Sequence, residues 1–188
     1  MSPESEILKL LEAMLEHPSL EEVAKEAGID PERARELLKR LGSTLERRTR
    51  QAVLIIDGAS KGNPGPAGAG VVLYDADGWE LDAMSIPLGV RTNNEAEYLA
   101  LIHGLKRARE LGIEKVRVMS DSELLIRQMR GEYQIKDKKI LKLVLEAGEL
   151  CRSFSEVSFE KATRVKTRRA DRLARTAANA SKARAEER

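Results

Sequence analysis

The C-terminal three quarters of the chain alternate between short apolar runs and longer amphipathic stretches. Residues 52–56 are a continuous apolar run, which is typical of a buried central strand. The pair Asp77-Gly78 separates two further apolar segments and favours a hairpin. Elsewhere, apolar residues recur at helical spacing. The pattern predicts strands at 52–56, 69–74, 79–86, 115–119 and from 157, and helices at 94–111, 122–129, 139–150 and 169–183.

This order of elements predicts an α/β fold, in which a five-stranded mixed sheet is flanked by helices and a small all-α domain precedes it. A right-handed crossover through the 94–111 helix would make the fourth strand parallel to the first. Asp57 and Asp121 follow these two strands. They would then lie near each other at the edge where open α/β sheets bind ligands.

Residues 1–42 read as three short helices. Pro18 separates the first two helices, Gly28 separates the second and third, and Gly42 is expected to end the third. Ser19 and Asp30 are the expected N-caps.

We predict a small three-helix domain at 1–45, a linker at 46–50 and the larger domain at 51–188. Residues 22–38 resemble a helix-turn-helix. The first 42 residues hold ten acids and six bases, a net charge of −4, whereas a DNA reader is normally basic. Contact with nucleic acid and contact with protein therefore both remain open for this domain.

Charge and cysteine content limit the possible binding partners and the expected cellular location. The 188 residues carry a net charge of +2, which by itself indicates no partner. From Lys161 onward ten bases face three acids, a local net charge of +7 that suits a polyanion or a solvated helix face. Cys151 is the single cysteine, so no internal disulfide can form, and no long apolar stretch is present. We expect a cytoplasmic protein with no membrane span.

Four acidic residues stand at strand ends or early in helices: Asp57, Glu97, Asp121 and Asp171. Hard divalent cations prefer carboxylate oxygens, and such sites commonly act on phosphates. The glycine-rich segment 57–68 reads as a strand followed by a turn that allows close backbone approach. It is not a phosphate loop of the nucleotide-hydrolase kind, because no Gly-Lys-Ser/Thr follows at the required spacing.

The local contexts of these acids resemble type 1 ribonuclease H. Segment 57–68 is similar to the family's first motif, 92–98 to the second, 120–122 to the third and 170–174 to the fourth, in the family's order. The resemblance covers roughly residues 51–180. It implies a ribonuclease H-like sheet and an endoribonuclease that cleaves the RNA strand of an RNA/DNA hybrid.

The resemblance also implies the ligands of two Mg²⁺ ions, for which Mn²⁺ can substitute. Asp57 would contact both ions, Glu97 and Asp121 would hold the one on the leaving-group side, and Asp171 would complete the other. Glu95 is the rival of Glu97, and the spacing from the Asn93-Asn94 pair favours Glu97.

Contacts to the hybrid are implied for Asn63, Thr92, Asn93, Asn94 and Arg164. Amides can donate to and accept from 2′-hydroxyls and base edges, although Asn93 would also serve as a helix N-cap. The resemblance places Arg164 on a mobile loop that assists turnover, while a role in the basic face alone is equally open.

The chain departs from the family pattern at Glu123, where Gln is frequent, and at Thr167, where Asn is frequent. A long basic insertion that grips substrate in some members is absent between Met129 and Leu150. The C-terminal basic helix or the N-terminal domain would have to supply that grip.

Three other functions compete with this one. A proofreading-type exonuclease would need a second acid two residues after Asp57, where this chain has Ala59. A catalytically idle nucleic-acid-binding module is disfavoured because all four acids are present. Cleavage of double-stranded RNA by the same fold remains open.

Overall fold

The structure is a computed structural model that describes residues 3–14 and 19–186. Side chains are placed at 6–7, 9–14, 19–41 and 51–183. The chain divides into two compact units, Met1–Arg48 and Thr49–Arg188. No helix within the described ranges combines the length and the apolar character that a membrane crossing requires.

The N-terminal unit is built from three helices, of which the second and third have side-chain N-caps. The hydroxyl of Ser19 accepts a hydrogen bond from the Glu22 N–H at 3.3 Å, and Asp30 accepts from two backbone N–H groups at 3.0 and 3.1 Å. Gly28 ends the second helix in the left-handed conformation at φ 66°, as predicted. The helices are α1 (Pro3–Ala13), α2 (Leu20–Ala27) and α3 (Pro31–Arg50).

Gly42 does not end the third helix, because α3 continues to Arg50. A glycine in a helix interior costs only about 1 kcal/mol relative to alanine. Leu, Lys, Arg and Glu on both sides of Gly42 are strong helix formers, and no proline follows within the helix. Pro18, the predicted break between the first two helices, lies outside the described residues.

The C-terminal unit contains the predicted five-stranded mixed sheet, with strand order β3-β2-β1-β4-β5. Strands β1, β2 and β3 pair antiparallel, while β1 with β4 and β4 with β5 pair parallel. The predicted parallel pairing of the fourth strand with the first is therefore confirmed. The elements are β1 (Gln51–Ser60), β2 (Gly65–Asp75), β3 (Glu80–Arg91), α4 (Asn93–Glu110), β4 (Lys115–Ser120), α5 (Glu123–Met129), α6 (Lys138–Cys151), β5 (Glu156–Lys161) and α7 (Arg164–Glu186).

Helices cover both faces of the sheet. Helix α4 packs on β1 and β2 with α6 against its outer side, and α7 packs on the opposite face against β1, β2 and β3. The larger core lies on the α4 side and includes Leu54, Ile56, Tyr98 and Leu101, all fully buried.

The glycine-rich segment is mostly strand. Residues 57–60 continue β1, and antiparallel partners from Asp57↔Gly70 to Ser60↔Ala67 hold them in the sheet. The predicted turn is thereby reduced to residues 61–64. A Cβ at Gly58 would collide with the backbone of Glu97, and one at Gly70 would collide with the carbonyl of Ala170. These glycines allow helices α4 and α7 to approach the strands closely.

Arg164 is the first residue of α7, not part of a loop. The carbonyl of Thr163 accepts hydrogen bonds from the N–H groups of Lys166 (2.9 Å) and Thr167 (3.2 Å), which closes a first turn. Thr167 is buried at 2% exposure. Burial of Thr167 holds this turn against the unit, so the helix begins five residues earlier than its apolar pattern predicts.

Candidate active site

Four elements bring the four predicted carboxylates into one cleft. Asp57 lies on β1, Glu97 on α4, Asp121 directly after β4 and Asp171 on α7. All four line the same cleft of about 970 Å³. The parallel pairing of β1 with β4 stops at Ile55↔Met119, and Asp57 and Asp121 each follow that last pair by two residues, so the topology explains why the two aspartates meet.

Burial and mutual repulsion govern the electrostatics of this cleft. Burial, followed by the charges of Asp121, Asp171 and Glu97, raises the pKa of Asp57 from 3.8 to about 7, against one hydrogen bond from the Gly58 N–H. The pKa of Glu97 also rises to about 7, mainly through burial. Asp57 is thus the carboxylate whose pKa is raised by the charges of all three others.

Polar neighbours orient Glu97. Its two oxygens accept hydrogen bonds from Asn93 Nδ2 at 3.1 Å and from Ser122 Oγ at 2.5 Å. The backbone N–H of Asn93 in turn donates to Asn63 Oδ1 at 3.0 Å. On the same helix, the buried Tyr98 hydroxyl donates a hydrogen bond to the Gln128 side chain at 2.8 Å and so joins α4 to α5.

Glu95 has a structural role instead. Its carboxylate accepts from the backbone N–H of Thr92 at 2.8 Å and from the Thr92 hydroxyl at 2.9 Å, which forms a capping box at the start of α4. The N-cap is therefore Thr92, and the expectation that Asn93 caps the helix is wrong. Thr92 has the extended backbone and the hydroxyl acceptor that this position requires, while Asn93 is already helical.

Basic side chains meet two of the carboxylates. Arg175 Nε lies 2.7 Å from Asp171 Oδ1, and Arg164 Nε lies 4.0 Å from Asp121 Oδ2. The Arg164 side chain is 95% exposed. Both arginines line the cleft, and neither contacts Asp57 or Glu97.

The four carboxylates of the cleft offer the oxygen ligands that a hard divalent cation prefers. Neighbouring carboxylates raise the pKa of Asp57, and Asp121 contributes to the raised pKa of Glu97, so a cation would offset charge at both groups. Within 3–14 and 19–186, however, no three His, Cys, Asp or Glu side chains converge closely enough to form a finished metal site. Two of the carboxylates have other partners, since Glu97 accepts from Asn93 and Ser122 and Asp171 pairs with Arg175.

The predicted hybrid contacts fall into two recesses. Asn93 and Arg164 line the carboxylate cleft. Asn63, Thr92 and Asn94 instead line a neighbouring hollow of about 480 Å³, together with the start of α6. There the Oδ1 atom of Asn94 is buried without a hydrogen-bond partner. These five residues therefore do not form a single surface, although the bond from Asn93 to Asn63 joins the two recesses.

Several residues of this site were not predicted from the sequence. Ser122 holds Glu97, and Arg168, Arg175 and Asn179 line the cleft from α7. Their spacing from Asp171 on one helix face is the signal that could have identified the last three. Glu123, which departs from the family pattern, pairs with Lys161 at 2.5 Å.

Comparison with known proteins places this site in a family. The reverse transcriptase-like family profile matches residues 56–177, which include all four carboxylates. A ribonuclease HI of Halobacterium salinarum is 38% identical over 121 residues, which are 64% of this chain and 61% of that protein. This chain belongs to the ribonuclease H family.

The ribonuclease H likeness extends to solved structures. LC11-RNase H1, whose crystal structure contains an RNA/DNA hybrid, matches with a TM-score of 0.66 and 35% identity, over 69% of this chain and 98% of that one. The bifunctional protein Rv2228c of Mycobacterium tuberculosis is 41% identical over 132 residues. That match covers 70% of this chain but 36% of the mycobacterial protein, so the chain corresponds to about a third of that relative.

Proposed function

We propose that this chain is an endoribonuclease that hydrolyses the RNA strand of RNA/DNA hybrids with the help of divalent metal ions. One observation carries the proposal: Asp57, Glu97, Asp121 and Asp171 come from four different elements and line one cleft. The ribonuclease HI relative and the hybrid bound to LC11-RNase H1 support the reaction and the substrate.

The four carboxylates would hold the metal ions. Ribonucleases H generally depend on a divalent metal ion, and we propose two Mg²⁺ ions here, with Mn²⁺ as a substitute. When bound, such ions lower the pKa of a coordinated water and offset the charge that develops on the phosphate. Asp57 would be the ligand shared by both ions, since the charges of all three other carboxylates act on it.

The remaining residues of the cleft position this machinery. Asn93 and Ser122 hold the Glu97 carboxylate in one orientation by donating to its two oxygens. Asn63 fixes the backbone of Asn93, so the turn after β1 and the start of α4 act together. Arg164 is exposed at the mouth of the cleft and is free to contact a phosphate or to assist product release.

The neighbouring hollow would receive the hybrid beside the scissile bond. Thr92, Asn63 and Asn94 present hydroxyl and amide groups there, which can both donate to and accept from 2′-hydroxyls and base edges. Asn94 Oδ1 is buried without a hydrogen-bond partner, so its amide is the group of this hollow whose hydrogen bonding is incomplete in the structure.

A cleavage assay tests this proposal. An end-labelled RNA/DNA hybrid should be cut internally in its RNA strand with Mg²⁺ or Mn²⁺, and cleavage should stop with excess chelator. Single strands and double-stranded DNA should remain intact in the same assay. Cutting of double-stranded RNA at a comparable rate would change the substrate class, and binding of the hybrid without any cleavage would favour the idle-module alternative.

A further inference from the structure

One face of α7 carries a row of basic and amide side chains on both sides of Asp171. Arg164, Arg168, Asp171, Arg175 and Asn179 are separated by four, three, four and four positions, which places them on a single helix face. All five line the carboxylate cleft. Asp171 thus lies in the middle of a row whose other members can donate hydrogen bonds to an anion.

The arginines of this row keep most of their side-chain surface exposed, and one of them has no acidic partner in the part of the chain that the structure describes. Arg168 is exposed and has no acidic partner among residues 3–14 and 19–186. Its neighbour Arg169 points elsewhere and makes two hydrogen bonds to Glu80, at 2.5 and 2.6 Å. Arg175 contacts Asp171 but remains 72% exposed. The cleft therefore presents positive charge on both sides of its acidic centre.

The other face of the helix fixes the row in place. Ala170, Ala174 and Ala177 are buried, and Gly70 allows the helix backbone to touch β2. Near the far end, the Ser181 hydroxyl donates to the carbonyl of Ala67 at 2.7 Å and accepts from the Gly89 N–H at 3.2 Å. Small residues and this buried serine hold α7 against two strands along its length.

We propose that Arg168, Arg175 and Asn179, together with Arg164, form a track that binds the phosphate backbone of the nucleic-acid substrate. Fifteen residues of helix span about 22 Å, which is roughly the axial rise of six nucleotides in one strand. Arginine forks match phosphate oxygens, and an amide can donate to them. The track supplies a grip on substrate that the missing basic insertion would otherwise give, and it rests on the proposed hybrid substrate.

Salt-dependent binding tests the track without requiring cleavage. The binding of a labelled hybrid is measured in chelator between 50 and 300 mM salt, in an Asp57→Asn background that carries Arg168→Gln, Arg168→Gln with Arg175→Gln, or Arg172→Gln. Arg172 is the matched control, since it is an exposed arginine on the same helix that does not line the cleft. Thermal melting of each variant checks that α7 still folds.

Each lost phosphate contact should flatten the plot of log affinity against log salt by about 0.9. We expect about one unit for Arg168→Gln, about two for the double variant with affinity on the order of tenfold weaker, and no change for Arg172→Gln. Arg168 contacts no carboxylate, so its effect cannot arise from a rearranged Asp171.

The outcomes separate the track from the proposed reaction. An unchanged slope in the double variant, or equal losses in Arg172→Gln, overturns the track even if the parent protein cleaves hybrid. Failure of the unsubstituted protein to bind hybrid overturns it as well. A flattened slope together with no cleavage by the unsubstituted protein supports the track and counts against the proposed reaction alone.

Discussion

Acidic residues of the two units have opposite surroundings. In the N-terminal unit, Glu6 and Glu36 contact Arg33 at 3.3 and 3.1 Å, and Glu32 contacts Arg35 at 2.5 Å. In the cleft, Glu97 meets a hydroxyl and an amide, and Asp57 is surrounded by other carboxylates. Acidic residues are thus paired with arginines in the N-terminal unit, whereas Asp57 and Glu97 of the cleft make no ion pair with the basic side chains that the structure describes.

This difference separates residues that support folding from residues that oppose it. Exposed ion pairs such as those of Arg33 each contribute about 0.2–1 kcal/mol to stability. The half-buried Asp57 and Glu97, whose pKa values are raised, lower stability when they are ionised without a cation. Groups that the rest of the fold must hold against their own repulsion are strong candidates for function.

The largest expected effect is the loss of cleavage in Asp57→Asn. The amide removes the charge that all three other carboxylates surround, so metal-dependent cleavage should fall roughly a thousandfold or more while the fold is kept. Initial rates on a labelled hybrid at saturating Mg²⁺ measure this, with circular dichroism as the folding check. Near-full activity of a folded variant would remove the basis for the site.

A second test contrasts two glutamates on one helix turn. Glu97→Gln should reduce turnover roughly a hundredfold, whereas Glu95→Gln should stay within about threefold, because glutamine can also complete a capping box. The two variants are matched in chemistry and differ only in which side of α4 they occupy. Comparable losses, or the reverse order, would show that the wrong carboxylate has been assigned to the cleft.

The repulsion itself predicts a gain in stability. The pKa of Asp57 is raised from 3.8 to about 7 in the folded protein, so the folded state holds this proton more tightly than the unfolded chain does. The cost to stability is absent well below pH 3.8, grows as the pH rises toward 7 and is complete above it.

Asp57→Asn should therefore melt several degrees above the unsubstituted protein at pH 8 in chelator, since about 1 kcal/mol shifts Tm by 2–4 °C at this size. The gain should shrink at pH 5. Thermal melts at both pH values measure it, and Arg175→Gln is expected to move Tm the other way because it removes a cation beside Asp171. An equal or lower Tm for Asp57→Asn at pH 8 contradicts the repulsion.

The smallest expected effect is removal of the N-terminal unit. All four carboxylates lie beyond residue 56, and Arg33, Arg35 and Arg40 each have a glutamate within 4.0 Å. A chain that starts at Thr49 should keep its kcat. Its KM should change by less than about threefold at low and at high salt. A raised KM with a flatter salt dependence would show that the N-terminal unit grips the hybrid, and loss of kcat in a folded protein would refute the separation of the two units.

Much of the fold and the meeting of the acids followed from the sequence. The apolar run at 52–56 and the crossover through α4 were sufficient to bring Asp57 and Asp121 to one edge. The assignment of metal ligands from the family likeness stays a prediction. What the sequence did predict depends on local periodicity and on topology, and both are encoded over short stretches.

Element boundaries were less predictable, since tertiary partners set them. Residues 57–60 are strand because β2 pairs with them, and Arg164 is helical because Thr167 is buried beneath it. Gly42 has the local signature of a helix end, yet its neighbours carry the helix through it. The division of the predicted hybrid contacts between two recesses depends on where the start of α6 lies, which no spacing within the motifs encodes.

Gly70 connects two of the acids without any chemistry of its own. It pairs with Asp57 across the sheet, and on its other side it touches Ala170, the residue before Asp171. A single added methyl group there would push α7 off the strand and carry Asp171 away from Asp57. In a random mutagenesis screen scored only for lost activity, Gly70 should therefore be recovered alongside the carboxylates, and a designer who transplants the four acids onto another scaffold would need to transplant this spacer with them.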